Sequence, residues 1–379
     1  MHIGLNLIFL VPGETGGMEV AARETIPALV AAAPPGTRFT AFVNRDAGPG
    51  PWGDLIEKVE VPVRASNRVE WVRGEQMLLP RLAQRAGVDL VHSLASTAPA
   101  WGRFTRVVTV HDLIYRILPE AHGGGRALGM RVLVPLAARR SDRIVAVSEN
   151  TKRDIVSYLH VPAERIDVVY PGHGSPSGVA PIGEREIRDR LDLGDRRVLL
   201  SLSAKRKHKN IAPLLDALAD LESRPVLVLA GYPTDYELEL QARARRLGIA
   251  EDVRWPGWLS DAEVEGLWAI TKGFVFPSLY EGFGAPPLEA MARGVPVACS
   301  NTAATPEIAG DAALLFDPGD PQSVATALKR LLAGGADIDR LTRAGVARAA
   351  EFTWERTARG LLASYGRALG RPASDWDRP

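Results

Sequence analysis

Short apolar runs bounded by turn residues alternate along the chain with longer segments of helical period, and that alternation predicts parallel α/β sheets. In the first half, residues 2–9, 38–43, 57–63, 89–94, 106–112, 143–148 and 165–170 read as strands. In the second, residues 197–203, 225–231, 252–258, 273–278, 295–300 and 312–318 do the same. Between Tyr170 and Asp189 the run PGHGSPSGVAPIGE concentrates Gly, Pro and Ser, which marks a hinge between two similar units. The expected organisation is an α/β domain over 1–172, a linker over 173–188 and a second α/β domain over 189–355. A helix over 356–370 and a disordered tail over 371–379 complete it. The length of 379 residues agrees, since single cores stop growing at roughly 250 to 300 residues.

The second half carries the most chemical stretch, SLYEGFGAPPLE from Ser278 to Glu289. It follows a short apolar strand. Pro286 and Pro287 can open a helix, because the N–H groups they lack have no intrahelical partner there, and Gly294 closes it. The amides of Phe283, Gly284 and Ala285 then project from a helix N-terminus, which favours an anion such as a diphosphate. Glu281 precedes the turn and Glu289 is placed in the first helical turn, so the two reach different parts of one ligand. Carboxylates accept hydrogen bonds from vicinal hydroxyls, so one suits a hexose and the other a ribose. The plainer alternative is a solvated Glu281 and a Glu289 that only complements the helix end.

Composition narrows the classes. Net charge is +1 from 46 basic and 45 acidic side chains, so no global field recruits nucleic acid, and no recognition motif for it appears. The single cysteine, Cys299, lies in an apolar run and reads as a core residue in a reducing compartment. The N-terminus shows no basic leader and no apolar run approaches the roughly 20 residues that span a bilayer, so a cytoplasmic protein is expected. No cluster of His, Cys, Asp and Glu has metal-ligand spacing. Asp337-x-Asp339 and Asp375-x-Asp377 follow no strand and read as surface charge, so neither metal nor cofactor is expected. Between Val61 and Arg140, twelve arginines face five acids. That excess reads either as a mixed helical surface or as a surface for an anionic or lipid-linked substrate, with peripheral contact at the inner face of the membrane.

The frame YEGFGxxxLEAMAxGxPV, with its Glu281-x7-Glu289 pair, resembles the nucleotide-sugar site of the retaining family 4 glycosyltransferases. The resemblance covers most of the chain, through Gly16-Gly17, Ser148-Glu-Asn150, Lys209-Asn210 and Phe352-x-Trp354. It implies an α/β protein of the GT-B fold: two Rossmann-like domains facing across a cleft, the first on the acceptor side, with the C-terminal helix crossing back to it. It further implies that Glu281 and the loop Gly282, Phe283, Gly284 and Ala285 hold the donor sugar, with Leu288 on the donor side and Glu289 on the ribose. The implied partners are a nucleoside-diphosphate sugar and a glycan, lipid-linked or small-molecule acceptor. Retaining members show no obvious protein nucleophile, and this sequence offers none.

Three other positions take meaning from that resemblance. Gly16 and Gly17 end the first strand and open a helix, as in the glycine loop that faces the donor phosphates and sugar; glycine allows close backbone approach. His111 in Thr109-Val-His-Asp-Leu113 resembles the histidine that contacts the donor sugar, although a strand-end histidine can equally be structural. Asp112 beside it could orient the ring or cap the next turn. The cluster Lys205-Arg206-Lys207-His208-Lys209-Asn210 is either a solvated loop or a source of cations for the diphosphate. Lys209-Asn210 matches the family, but the arginine expected five or six residues earlier is replaced by Ala204 and Ser203. Lys205 or Arg206 is expected to substitute, Arg206 preferred because a guanidinium binds phosphate oxygens bidentately. Glu281, His111, Lys209 and Arg206 are the candidate catalytic residues; Gly16, Gly17 and Lys205 join the donor loop and Glu289 as binding residues. The alternatives are a sugar-nucleotide-binding protein without transfer activity, and a related epimerase or phosphorylase.

Overall fold

A parallel strand buried on both faces reads as a near-continuous apolar run, and β1 (His2–Leu7) is buried along its whole length. The computed structural model describes all residues except 49, 51–54, 122–124, 175–178 and 372–379. The chain divides into two compact units, one of residues 1–172 and 352–379, the other of residues 173–351. In the first, β1 is joined by β2 (Arg38–Val43), β3 (Glu57–Glu60), β4 (Leu90–Ser93), β5 (Thr105–Val110), β6 (Arg143–Ala146) and β7 (Ile166–Val168) in the order β3-β2-β1-β4-β5-β6-β7. In the second, β8 (Val198–Leu202), β9 (Val226–Ala230), β10 (Val253–Gly257), β11 (Thr271–Phe276), β12 (Val297–Ser300) and β13 (Leu314–Phe316) take the order β10-β9-β8-β11-β12-β13. All pairings are parallel. Each of these strands falls within one of the thirteen apolar runs of the sequence, extended by at most two residues. The edge strand β3 is mostly exposed and its charges discourage further pairing.

Element ends follow local chemistry. The helix expected over 356–370 runs Trp354–Ala368, because the Thr353 hydroxyl accepts the Arg356 N–H at 3.2 Å and fixes its start. Its Ala358, Leu361, Leu362 and Tyr365 pack into the core of the first unit with Ile3, Leu5, Ala22, Ile26 and Leu29. Gly172 makes room for it: a Cβ there would meet the Trp354 nitrogen at 2.6 Å. Part of the span read as linker is folded into the second unit. Ile182 N donates to Ala262 O at 3.1 Å, and the helix Glu184–Arg190 buries Ile187. Asp337 forms exposed ion pairs with Arg330 and Arg340 at 2.7 and 2.9 Å. Asp375 and Asp377 lie outside the described residues. Cys299 is buried in β12, and burial pushes its thiol up to about 12.

One buried polar contact fastens the last helix to the sheet. His92 on β4 meets the Tyr365 hydroxyl at 2.6 Å through Nδ1 and the Thr109 hydroxyl at 2.8 Å through Nε2. Burial, with neighbouring His111 adding to it, drives the imidazole down to about 3, so it stays neutral and can donate through one nitrogen and accept through the other. Tyr365→Phe leaves one ring nitrogen buried without a partner. We expect a loss of about 1–3 kcal/mol in the urea-unfolding free energy of the first unit, with secondary structure intact by circular dichroism.

Candidate active site

The strand order of the second unit reverses between β8 and β11. Ligands of doubly wound sheets bind outside the strand C-terminal ends at such a reversal. The loops that follow these two strands are laced together by one carbonyl: His208 O accepts from Leu279 N at 2.8 Å and from Ser278 Oγ at 3.2 Å. That lacing brings Lys209 Nζ to 2.6 Å from Glu281 Oε1, with the ammonium also 5.6 Å from the Phe276 ring centroid. Lys209 and Glu281 expose 18% and 16% of their side chains, so this pair is far less screened than a surface one. Asn210 sits at φ 55°, a left-handed position that asparagine tolerates, and its amide donates to Pro318 O at 2.8 Å.

After Glu281, Gly284 takes φ 95° and starts the helix Ala285–Ala292, with proline in its first positions. Gly282, Phe283 and Gly284 are buried, and Ala285 is half-buried at the helix start. The first N–H groups of a helix have no intrahelical partner and carry its positive end. Glu289 is the fifth residue of this helix, so it lies at the start of the second turn rather than within the first. Its carboxyl is raised by burial, which Arg293 opposes and Glu265 reinforces. Arg293 fixes this corner: it pairs bidentately with Glu265, donates to Glu289 O at 3.0 Å and lies 5.5 Å from the Trp268 ring centroid. Glu265 and Arg293 are 28 residues apart, and no motif links them in the sequence. Leu288, expected on the donor side, is wholly buried.

Lys205 is also turned inward. It has no exposed surface; its ammonium donates to Gly231 O at 2.6 Å and lies 3.6 Å from Glu237. Burial lowers its pKa and Glu237 opposes the shift. Its backbone is held as well, with its N–H on Tyr232 O at 3.3 Å and its carbonyl accepting from the Thr234 hydroxyl. Arg206 is exposed, as is Lys207, whose ammonium lies 6.0 Å from the Tyr236 ring centroid.

In the first unit, Gly16 (φ 60°) follows β1 and precedes the helix Gly17–Ala32; no atom lies within 4 Å of where a Cβ would sit on either glycine. His111 follows β5. Its Nε2 lies 2.7 Å from Leu94 O, and since a carbonyl only accepts, this nitrogen carries the proton. Burial lowers its pKa, so the ring is neutral near pH 7 and Nδ1 is an acceptor. Asp112 caps the next turn: its Oδ1 accepts from Ile114 N at 3.0 Å.

Two doubly wound parallel sheets, one with a cation, a carboxylate and a helix N-terminus at its order reversal, are the elements of the GT-B fold. The chain belongs to glycosyltransferase family 4: residues 15–173 match the model "Glycosyltransferase Family 4", and residues 183–348 match "Glycosyl transferases group 1". It is 32% identical over 269 residues to the O-antigen chain mannosyltransferase B of Escherichia coli, covering 68% of this chain and 69% of that one. It is 30% identical to the serotype-specific mannosyltransferase WbdA of E. coli, of which it spans 33%. Among solved structures it resembles sucrose-phosphate synthase from Thermosynechococcus elongatus, with TM-score 0.79 at 19% identity over 98% of this chain and 99% of that one. HepE of Anabaena, solved in complex with UDP-glucose, gives 0.76 at 21% identity over 97% and 100%.

The different placements of adjacent cations can be tested by stability alone. Lys205→Met strands a buried carboxylate at Glu237 and should destabilise the second unit by about 3 kcal/mol. Arg206→Ala, an exposed change, should stay within about 0.5 kcal/mol of the parent in the same denaturant titration.

Proposed function

We propose that this glycosyltransferase moves a hexosyl group, with retention, from a nucleoside-diphosphate sugar of the GDP-mannose or UDP/dTDP-hexose type to a glycan, lipid-linked or small-molecule acceptor. The observation that carries this reading is the Lys209–Glu281 pair at the order reversal, beside the helix N-terminus that leads to Glu289. In this reading the helix amides and Lys209 take the diphosphate, Glu281 the sugar hydroxyls and Glu289 the ribose. An arriving diphosphate meets an ammonium already paired with Glu281, and the exchange of partners frees that carboxylate for the sugar. His111 offers a neutral acceptor nitrogen to a sugar hydroxyl. The acceptor oxygen bonds to the anomeric carbon on the face from which the diphosphate departs. The carbon–oxygen bond to phosphate breaks, and the acceptor's proton passes to the departing phosphate oxygen.

The relative named as a mannosyltransferase supports a mannosyl donor, and HepE with UDP-glucose supports a nucleotide sugar more broadly. Exposed Arg68, Arg73, Arg81 and Arg85, with Val69 and Met77 exposed among them, support an anionic or lipid-linked acceptor. Among the described residues no three His, Cys, Asp or Glu gather as metal ligands. We assign the phosphate charge to Lys209 and Arg206.

Incubation with a panel of nucleoside-diphosphate sugars tests the whole reading, with released nucleoside diphosphate as the signal. Binding of every donor without release would leave a sugar-nucleotide-binding protein instead. Lys209→Ala should lower turnover roughly 100-fold or more, about 3 kcal/mol, with a smaller effect on donor affinity. Glu289→Ala should weaken binding of the bare nucleoside diphosphate in calorimetry, and unchanged affinity would remove the ribose assignment. Activity should survive EDTA; full loss restored by magnesium or manganese would show that a metal shares the phosphates.

A further inference from the structure

The sheet of the first unit has its own order reversal, between β1 and β4, and a buried carboxylate lies at it. Glu75 is 2% exposed. Its Oε1 accepts from Asn6 Nδ2 on β1 at 3.1 Å and from the Thr97 hydroxyl after β4 at 2.9 Å, and its Oε2 accepts from Gln76 Nε2 at 3.1 Å. The Asn6 amide also donates to Ser93 Oγ at 3.0 Å, joining the two strands across the reversal. Gln76 continues the clamp: it donates to Ala98 O at 2.9 Å, accepts from Ala100 N at 3.0 Å, and its carbonyl takes the Trp101 indole N–H at 2.6 Å. On the other side, His111 Nε2 donates to Leu94 O and His111 N donates to Ser96 Oγ at 3.2 Å. Residues 93–101 are therefore gripped between Glu75–Gln76 and His111.

The backbone is built for this. Glu75 lies in a wide π-turn, Gly74–Leu78, between the helices Arg68–Arg73 and Leu79–Ala86. Such turns are rare and recur at functional sites. Gly74 lets the turn close on the segment after β3, since a Cβ there would meet Val63 at 2.7 Å.

We propose that Glu75 is a positioning residue for glycosyl transfer: its carboxylate holds residues 93–101, and through them His111, in the working geometry. This inference rests on the transferase reading above. The Asn6 and Gln76 amide nitrogens can only donate to the carboxyl, and the Thr97 hydroxyl can donate too, an arrangement that suits the ionised form. Burial nevertheless pushes the carboxyl up to about 7, and no ion pair among the described residues offsets it. Of the charged groups around it, Arg73 on the preceding helix is exposed and Glu70 accepts from Arg64 N, while His92 on β4 and His111 after β5 are held neutral by burial. Between 4.5 and about 7 the folded chain keeps a proton that the unfolded chain has released, so stability falls as pH rises through that window. The ionised Glu75 is thus a cost to folding that a purely structural contact would not require.

The test uses the full chain, with transfer rate followed against pH and amide hydrogen exchange followed separately. In the parent, kcat should fall as pH drops below about 7, the value to which burial carries Glu75. Glu75→Gln should lose this acid limb and lower kcat roughly 10- to 100-fold at about pH 8, with nucleoside diphosphate affinity unchanged. Thr97→Val, which removes one donor to the anion, should move the limb upward by up to about one pH unit. Both variants should speed exchange at residues 94–101 relative to the rest of the first unit. A parental pH limb and parental exchange in both variants would overturn the assignment. If Glu75→Gln does not fold, Thr97→Val decides alone. If the parent transfers no sugar from any donor, the functional reading fails, while exchange at 94–101 still decides whether Glu75 holds that segment.

Discussion

A parallel sheet gathers the C-terminal ends of all its strands on one edge, and a reversal of strand order leaves a gap there that no crossover helix covers. In the second unit that gap is bridged by a carbonyl, His208 O, which takes two hydrogen bonds from the loop after β11. The meeting of Lys209 and Glu281 is a consequence of it. Their ion pair could not form between two untethered surface loops at useful strength, because exposed pairs contribute only about 0–1 kcal/mol and must also order two side chains. Here the backbone has already fixed both loops, and partial burial strengthens the attraction that remains.

The same logic explains why both units bury charge that their apolar cores do not need. Lys205 with Glu237 pins the loop after β8 to the loop after β9, and Glu75 pins β1 to the segment after β4. Neither is a sound investment in stability taken alone, since well-packed apolar groups of similar volume are often as stable or more so. What each supplies is a fixed backbone path at the edge where ligands of this fold bind. Loops are otherwise the least constrained parts of a doubly wound sheet.

The strands were legible because parallel burial leaves continuous apolar runs, and the clamp was legible because proline and glycine mark the ends of its helix. Asn210 entered only as part of the Lys-Asn pair; its left-handed backbone, where asparagine is favoured over a branched side chain, came from the structure. Other features were not legible, for physical reasons. The start of the last helix depends on a hydroxyl cap at Thr353, and the inner end of the hinge on whether Ile182 finds a partner strand or helix, which it does at Ala262. Glu75 looked like one more charge on an Arg-rich helix. Only the wide turn at Gly74–Leu78, which no periodicity reveals, turns it inward.

Lys205 and Arg206 show how one residue of register decides a role. Arg206 has φ −110° and ψ 153°, extended backbone in which successive side chains point to opposite sides. If one of the two is turned under the loop, the other must face solvent. Gly231 settles which. At φ 123° it brings the loop after β9 so close that a Cβ there would meet the Ser203 carbonyl oxygen at 2.5 Å, and its own carbonyl then caps the Lys205 ammonium. An ammonium on a flexible stem can end on one carbonyl and one carboxylate, whereas a guanidinium has five donors to satisfy and is far harder to bury in that space. The sequence therefore has lysine under the loop and arginine over it, and the guanidinium is left facing solvent.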